Sequence, residues 1–396
     1  MDPWRLAPFL LVASTIWASM VLFVGWRLLG HAPRWAARTG GLALGASACT
    51  VPVAFLLFGA VGTPWVDAFH VVAFLCAGVI ATLFFSLLAR DGLGWVVRGA
   101  DRVAGGPLGL ADPERRRLLT VASNGLIVAA TGIITGVGHA NTRRVAEVVT
   151  VDVPIPGLPD GLDGFRIAQI SDLHVGPTIR SELITQIVAR VNELSPDLVA
   201  LTGDLVDGPV DVLRPHVAPL AELVSTHGTY FVTGNHEYYS GAEPWIEHVR
   251  SLGMRALIEG HHVVWHNASP VLIAGVSDLS AHRMVPSHTC DPDAACAGAP
   301  EARLRILLAH QPNTVDRVRA GSFDLQLSGH THGGQFVPFT WLISMVQRYS
   351  SGLHLVRGMW LYVNRGTTWW GPPIRLGAPQ EITLLVLRAV GAPGAR

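Results

Sequence analysis

Hydrophobic and polar positions follow two regimes along the chain. Up to about residue 140 the apolar residues form long, nearly unbroken runs, and beyond it they form short runs separated by polar turns. Residues 6–29, 40–62, 66–89 and 118–139 each stay apolar for the roughly 20 residues that a helix needs to cross a bilayer. Helices buried in a soluble bundle seldom remain apolar on every face for that length, so these stretches predict four membrane spans.

The second regime reads as alternating strands and helices. Residues 165–170 alternate as a strand should and break at Ser171-Asp172-Leu173-His174. Ser181 stands where it can cap a helix on which Leu183, Ile184, Ile187, Val188, Val191 and Leu194 form one apolar face, and Pro196 ends it. Residues 197–201 are the next strand, delivering Gly203-Asp204-Leu205-Val206-Asp207-Gly208, and strand, helix, strand in this order predicts a parallel crossover unit. Residues 229–232 deliver Gly234-Asn235-His236-Glu237, 304–308 deliver Ala309-His310-Gln311-Pro312, and 323–327 deliver Ser328-Gly329-His330-Thr331-His332-Gly333-Gly334. A helix is predicted around 245–252, and further strands at 263–265, 271–276, 359–363 and 381–387. Residues 338–356 carry Trp341, Leu342, Ile343 and Met345 and form either a core-packing helix, the preferred reading, or an apolar surface facing the bilayer. Residues 286–300 read as a surface loop. The organisation expected is a transmembrane region over 1–140 with about four helices, a linker over 141–160 and an α/β domain over 161–390.

Charge adds orientation. With 29 basic and 29 acidic residues the formal net charge is zero, which gives no reason to expect a nucleic-acid partner held by bulk charge. Arg27, near the end of the first span, and Arg34 and Arg38 beyond it mark the first loop, and Arg90, Arg98, Arg102, Arg115, Arg116 and Arg117 lie between the third span and the fourth. Between spans two and three stand Thr63, Pro64 and Trp65, with Asp67 beside them. Positive loops stay in the cytoplasm, so loops one and three are inside and the chain is a multi-pass integral protein of the cell membrane with its soluble domain outside the cytoplasm. Arg143 and Arg144 oppose this but are outnumbered. Arg115-Arg116-Arg117 before an apolar helix also fits a twin-arginine export signal, and either reading exports the domain. Among the four cysteines, Cys49 and Cys76 sit in apolar stretches, while Cys290 and Cys296 could close a small ring or remain free thiols.

Five polar turns, each ending an apolar run, present Asp, Asn or His. Taken singly, each such residue is more often a strand-end cap or a solvated turn residue. Convergence is the stronger reading, because ligands in open α/β sheets bind beyond the carboxyl ends of the strands. Carboxylate, imidazole and amide without cysteine suit divalent Mn, Fe or Zn rather than a structural zinc knot. Two such cations can share a carboxylate and a water, activate the water as a bridging hydroxide, and neutralise a phosphoryl group during in-line attack.

The ordered set Asp172-x-His174, Gly203-Asp204-x-x-Asp207, Gly234-Asn235-His236-Glu237, His310 and Gly329-His330-x-His332 resembles the calcineurin-like metallophosphoesterases over residues 165–387. With the apolar N-terminus and Gly333-Gly334-Gln335, it looks like their bacterial membrane-associated branch. The resemblance implies an α/β fold, a four-layer α-β-β-α sandwich behind the transmembrane helices, and a two-metal centre. By matched position, Asp172, His174 and His332 would hold the first metal and Asn235, His310 and His330 the second, with Asp204 bridging. His236 would assist the leaving oxygen, and Asp207 would orient a neighbour or simply cap the turn before Gly208. The family's Ser/Thr protein phosphatases carry arginine where Gly208 stands, which argues against that substrate class. Arg180, Arg283 and Arg365 are candidates for gripping substrate phosphate. The function expected is hydrolysis of phosphomonoesters or phosphodiesters, with a lipid-linked or envelope substrate compatible with the anchor. The alternative is a metal-binding sensor or assembly module with weak catalysis, whose spans carry the function.

Overall fold

A computed structural model describes residues 3–30, 32–57, 61–105 and 112–391. The chain divides into two compact units, one of residues 1–141 with Gly371–Ile374 and one of the remainder. Among the described residues the first holds four helices, α1 (Pro3–Leu29), α2 (Arg34–Leu56), α3 (Pro64–Val103) and α4 (Pro113–Thr142). All four are long and apolar enough to cross a membrane. The expected second span reaches residue 62, and its residues 58–60 lie outside the described residues. The third continues well past residue 89: at 40 residues, α3 is about 60 Å long, twice a bilayer's hydrocarbon thickness. Trp17, Val21 and Val24 of α1 pack with Ile80, Leu83 and Leu87 of α3. Arg27 and Arg90 both pair with Asp91, and Arg90 also donates to Asn124 Oδ1. Asn124 Nδ2 in turn donates to the Arg27 carbonyl at 2.9 Å, which places polar positions of α1, α3 and α4 at one level.

The second unit is built on two six-stranded mixed sheets. In sequence the strands are β1 (Glu147–Pro156), β2 (Arg166–Ile170), β3 (Leu198–Thr202), β4 (Thr229–Val232), β5 (Arg255–Ala256) and β6 (Gly260–His266). They continue with β7 (Ser269–Gly275), β8 (Leu304–Leu308), β9 (Leu325–Ser328), β10 (Gly352–Val356), β11 (Met359–Val363) and β12 (Glu381–Val390). The first sheet runs β1-β12-β2-β3-β4-β5 and the second β10-β11-β9-β8-β7-β6. The helices are α5 (Ser181–Glu193), α6 (Val210–Val217), α7 (Asn235–Ser240), α8 (Ala242–Ser251), α9 (Pro292–Ala295) and α10 (Phe339–Val346).

The sandwich expected from the sequence is the fold observed. Leu304, Ile306 and Leu308 of β8 join the core shared with Ile167, Leu198 and Ala200 of the first sheet. Leu307 points the other way, into a second core with Val315, Phe323 and Leu361. Strands covered on both faces therefore read as continuous apolar runs. On α5, Ile184, Ile187, Val188 and Val191 are buried as their spacing predicts.

Four details differ from the sequence reading or resolve it. The linker expected over 141–160 contains β1, which pairs in parallel with β12 from Glu147↔Glu381 to Pro156↔Val390. Pro154 and Pro156 are tolerated there because β1 is an edge strand. Ser181 is the first residue of α5 rather than its cap, and Arg180 takes the cap position without a side-chain capping bond to the helix. Residues 338–356 are not a core helix: α10 has no buried residue, and β10 occupies the end of the stretch. Cys290 and Cys296 are free thiols, and burial pushes the Cys290 thiol up to about 11.

Candidate metal centre

β2, β3, β4, β8 and β9 each end in one of the polar turns, and their parallel alignment within each sheet sets those turns along one end of the sandwich. The backbone there is forced into unusual shapes. Asp172 (φ 55°), His174 (43°), Asp204 (51°), His330 (74°) and His332 (51°) all lie in the left-handed region, which non-glycine residues occupy at a cost of about 1–3 kcal/mol. Close approach explains two of the glycines. A side chain at Gly234 would collide with Asp204 Oδ1, and one at Gly329 with Ser171 Oγ and Asp172 Oδ2.

The turns bring two groups of donors together. In the first, His174 Nε2 lies 3.1 Å from His332 Nε2, and Asp172 Oδ1 lies 3.4 Å from His332 Nε2 and 4.0 Å from His174 Nε2. In the second, His310 Nε2 is 3.1 Å from Asp204 Oδ2 and 3.2 Å from His330 Nδ1. Asp204 Oδ2 is also 3.8 Å from His174 Nε2, so one carboxylate oxygen stands between the two groups. Asn235 Oδ1 is buried without a hydrogen-bond partner, an acceptor whose desolvation nothing in the protein offsets. An oxygen left in that state, in a turn whose Gly234 packs on Asp204 and whose His236 N–H donates to it, fits a cation ligand.

Charge in the centre is arranged for a cation. Burial alone would push the Asp204 carboxyl up, but His310, His236 and His174 hold it well below the usual carboxylate range. Burial opposes a charged His310, yet Asp204 and Asp172 raise it well above its ordinary value. The pocket thus attracts positive charge that a metal ion can supply in place of the proton. Burial and the Arg375 guanidinium keep His332 neutral, with a ring lone pair available. His310 Nδ1 lies 2.8 Å from the Thr202 carbonyl, a contact that fixes the proton there and frees Nε2.

His236 sits at the rim. Its Nδ1 is 2.6 Å from Asp207 Oδ1, which is also 3.1 Å from His174 Nδ1, so one carboxylate oxygen serves both rings. Burial lowers His236, but Asp204 and Asp207 outweigh it and push it up to about 9. Tyr239 and Trp370 stand edge-on to the His236 ring at 5.3 and 5.5 Å. Of the arginines considered for phosphate, Arg365 is paired with Glu381 at 2.5 Å, Arg180 immediately precedes α5, and Arg283 ends a short 3-10 turn. Arg283 opposes the upward push that burial gives the Tyr239 hydroxyl, and Tyr239 stands against the His236 ring.

The motif reading includes Glu237 without giving it a role, and other supporting residues escaped it. Glu237 is fully buried and accepts the N–H groups of Gly234 (2.6 Å), Leu205 (2.7 Å) and Asp204 (3.0 Å), which joins the turns after β3 and β4. Burial and Asp204 push its carboxyl up to about 8. Asn364–Trp370, following β11, forms a sixth turn: Thr368 Oγ1 donates to the Asp172 and Leu173 carbonyls, and the Gln335 amide clamps the Trp370 main chain in both directions. Arg375, also fully buried, donates to the carbonyls of His332 and Arg365. The polar break after β11 was the available signal, since it repeats the pattern of the other turns.

Residues 165–334 match the family model described as calcineurin-like phosphoesterase. The chain belongs to that family: it is a membrane-anchored, metallophosphoesterase-type hydrolase with its His and Asp metal-binding cluster intact. It is 34% identical over 325 residues to a protein of Danio rerio named transmembrane protein with metallophosphoesterase domain, covering 80% of this chain and 73% of that one. The Bos taurus protein of the same name is 35% identical over 332 residues, covering 81% and 74%. An uncharacterized metallophosphoesterase of Helicobacter pylori is 38% identical over 225 residues, covering 56% and 60%. Vertebrate and bacterial relatives both match, so the likeness does not single out a bacterial branch.

Proposed function

We propose that the chain hydrolyses phosphomonoesters or phosphodiesters with two divalent ions of the Mn, Fe or Zn type, outside the cytoplasm, on an envelope or lipid-linked substrate. The observation that carries this reading is Asp204 Oδ2 standing 3.1 Å from His310 Nε2 and 3.8 Å from His174 Nε2, between two clusters of metal-type donors. Asp172, His174 and His332 would hold one ion and Asn235, His310 and His330 the other, with Asp204 serving both. Such a pair, when bound, activates water and neutralises phosphoryl charge.

The chain's own residues do the rest. Asp207 Oδ1 accepts Nδ1–H from His236, which orients the ring and leaves its second nitrogen to carry a proton. That proton goes to the departing oxygen, and the raised affinity of His236 keeps it in place at neutral pH. The same Asp207 oxygen fixes the His174 tautomer, and Glu237 holds the Asp204 turn. The anchor supports a substrate in or near the bilayer, because it keeps the chain at the membrane. Purified full-length protein with Mn²⁺ should cleave p-nitrophenyl phosphate or bis-p-nitrophenyl phosphate, and Asp204→Asn and His236→Ala should each abolish turnover. Robust hydrolysis by Asp204→Asn would overturn the mechanism, and bound metal without turnover on any phosphoester would favour the sensor reading.

A further inference from the structure

α10 lies close in sequence to the turn that carries His330 and His332, and its eight residues, Phe339 to Val346, include no charged side chain. Trp341 is 68%, Met345 80% and Val346 78% exposed, and Leu355 of β10 is 61% exposed. Trp341 and Met345, four residues apart, share one face of α10, and exposed apolar surface of this kind marks a site of interaction.

Two observations indicate what covers it. The first is tethering. α4, a candidate membrane span, ends at Thr142 and β1 begins at Glu147, so at most roughly 18 Å of extended chain separates this unit from a bilayer-crossing helix. The second is the charge at the patch's edges. Arg348 follows α10 and Arg357 follows β10, with side chains 70% and 48% exposed. Their common acidic neighbour, Asp316, is 3.9 Å from each. An apolar helix bearing tryptophan and bordered by arginines complements an anionic phospholipid surface, with acyl chains for the helix and phosphates for the guanidinium groups.

We infer that α10 is an interfacial wedge, seated in the anionic leaflet that the anchor holds beside it. A benzophenone amino acid in place of Met345 tests this in the full-length chain, in nanodiscs of phosphatidylcholine with phosphatidylglycerol, against the same probe in place of Glu193, whose side chain is 62% exposed. On irradiation, lipid adducts at position 345 should exceed those at 193 by about tenfold or more, and Arg348→Gln with Arg357→Gln should reduce them. Crosslinks from 345 to a second copy or to the chain's own helices, or lipid yields equal at the two positions, would overturn the inference. Because the readout is an adduct, it decides the wedge even if the protein hydrolyses nothing.

Discussion

Asp207 accepts from two imidazoles through one oxygen, and its replacement separates their roles. Its carboxylate helps hold His236 at about 9, so Asp207→Asn lowers the pH at which His236 gives up its proton. If His236 acts as the acid, the alkaline limb of the kcat/KM profile moves to lower pH, and activity at pH 7 falls about 10- to 100-fold, as for other partners of metal-site histidines. An unmoved limb in an otherwise slow variant would leave Asp207 as a turn residue. Glu237 is a different case. Glu237→Ala strands four buried N–H donors, each costing about 1–3 kcal/mol, so thermal unfolding of the metal-free protein should drop by several degrees or more. Glu237→Gln keeps one acceptor oxygen and should fall between. The His and Asp residues were legible because their chemistry is unusual at the ends of apolar runs. The grip of Glu237 on four backbone amides was not, because it depends on two turns, about thirty residues apart in sequence, meeting in space.

At the scale of elements, the two donor groups come from different combinations of turns. His310 follows β8, whereas His332 lies beyond β9, beside the turn of β2. If the proposed assignment holds, His310→Ala loses the ion held with Asn235 and His330, and His332→Ala loses the ion held with Asp172 and His174. Each variant should then retain one metal per chain where the parent retains two, measured by elemental analysis after gel filtration. Loss of both ions from either variant would instead show one cooperative site. The strands that carry these turns were legible because both faces are covered and their runs are apolar throughout. β1 was not, since its partner β12 lies at the far end of the chain and its prolines argue against a strand unless the edge position is known. α10 was misread for the opposite reason: apolar composition predicts burial but does not say in what.

For the whole molecule the open quantity is the side of the membrane on which the centre works. Four spans were legible because apolar length alone defines them, whereas the extension of α3 to Val103 was hidden by its change to polar composition. Arg27, at the end of α1, and Arg90 of α3 meet at Asp91, with Asn124 of α4 at the same level. The arginine-bearing C-terminal parts of α1 and α3 and the arginine-bearing start of α4 therefore lie towards one end of the helical unit. Retaining that end in the cytoplasm requires the segment that follows α4 to lie on the other side, because α4 crosses away from it. Alkaline phosphatase fused to the C-terminus should then be active in cells and a green fluorescent protein fused there dark. Replacing Arg98, Arg102, Arg115, Arg116 and Arg117 with glutamine should shift the balance towards fluorescence, because it removes the charges that hold the third connection inside. A parent fusion that fluoresces would place the metal centre in the cytoplasm, and the envelope substrate would fall with the orientation, while the hydrolytic chemistry of the site would stand.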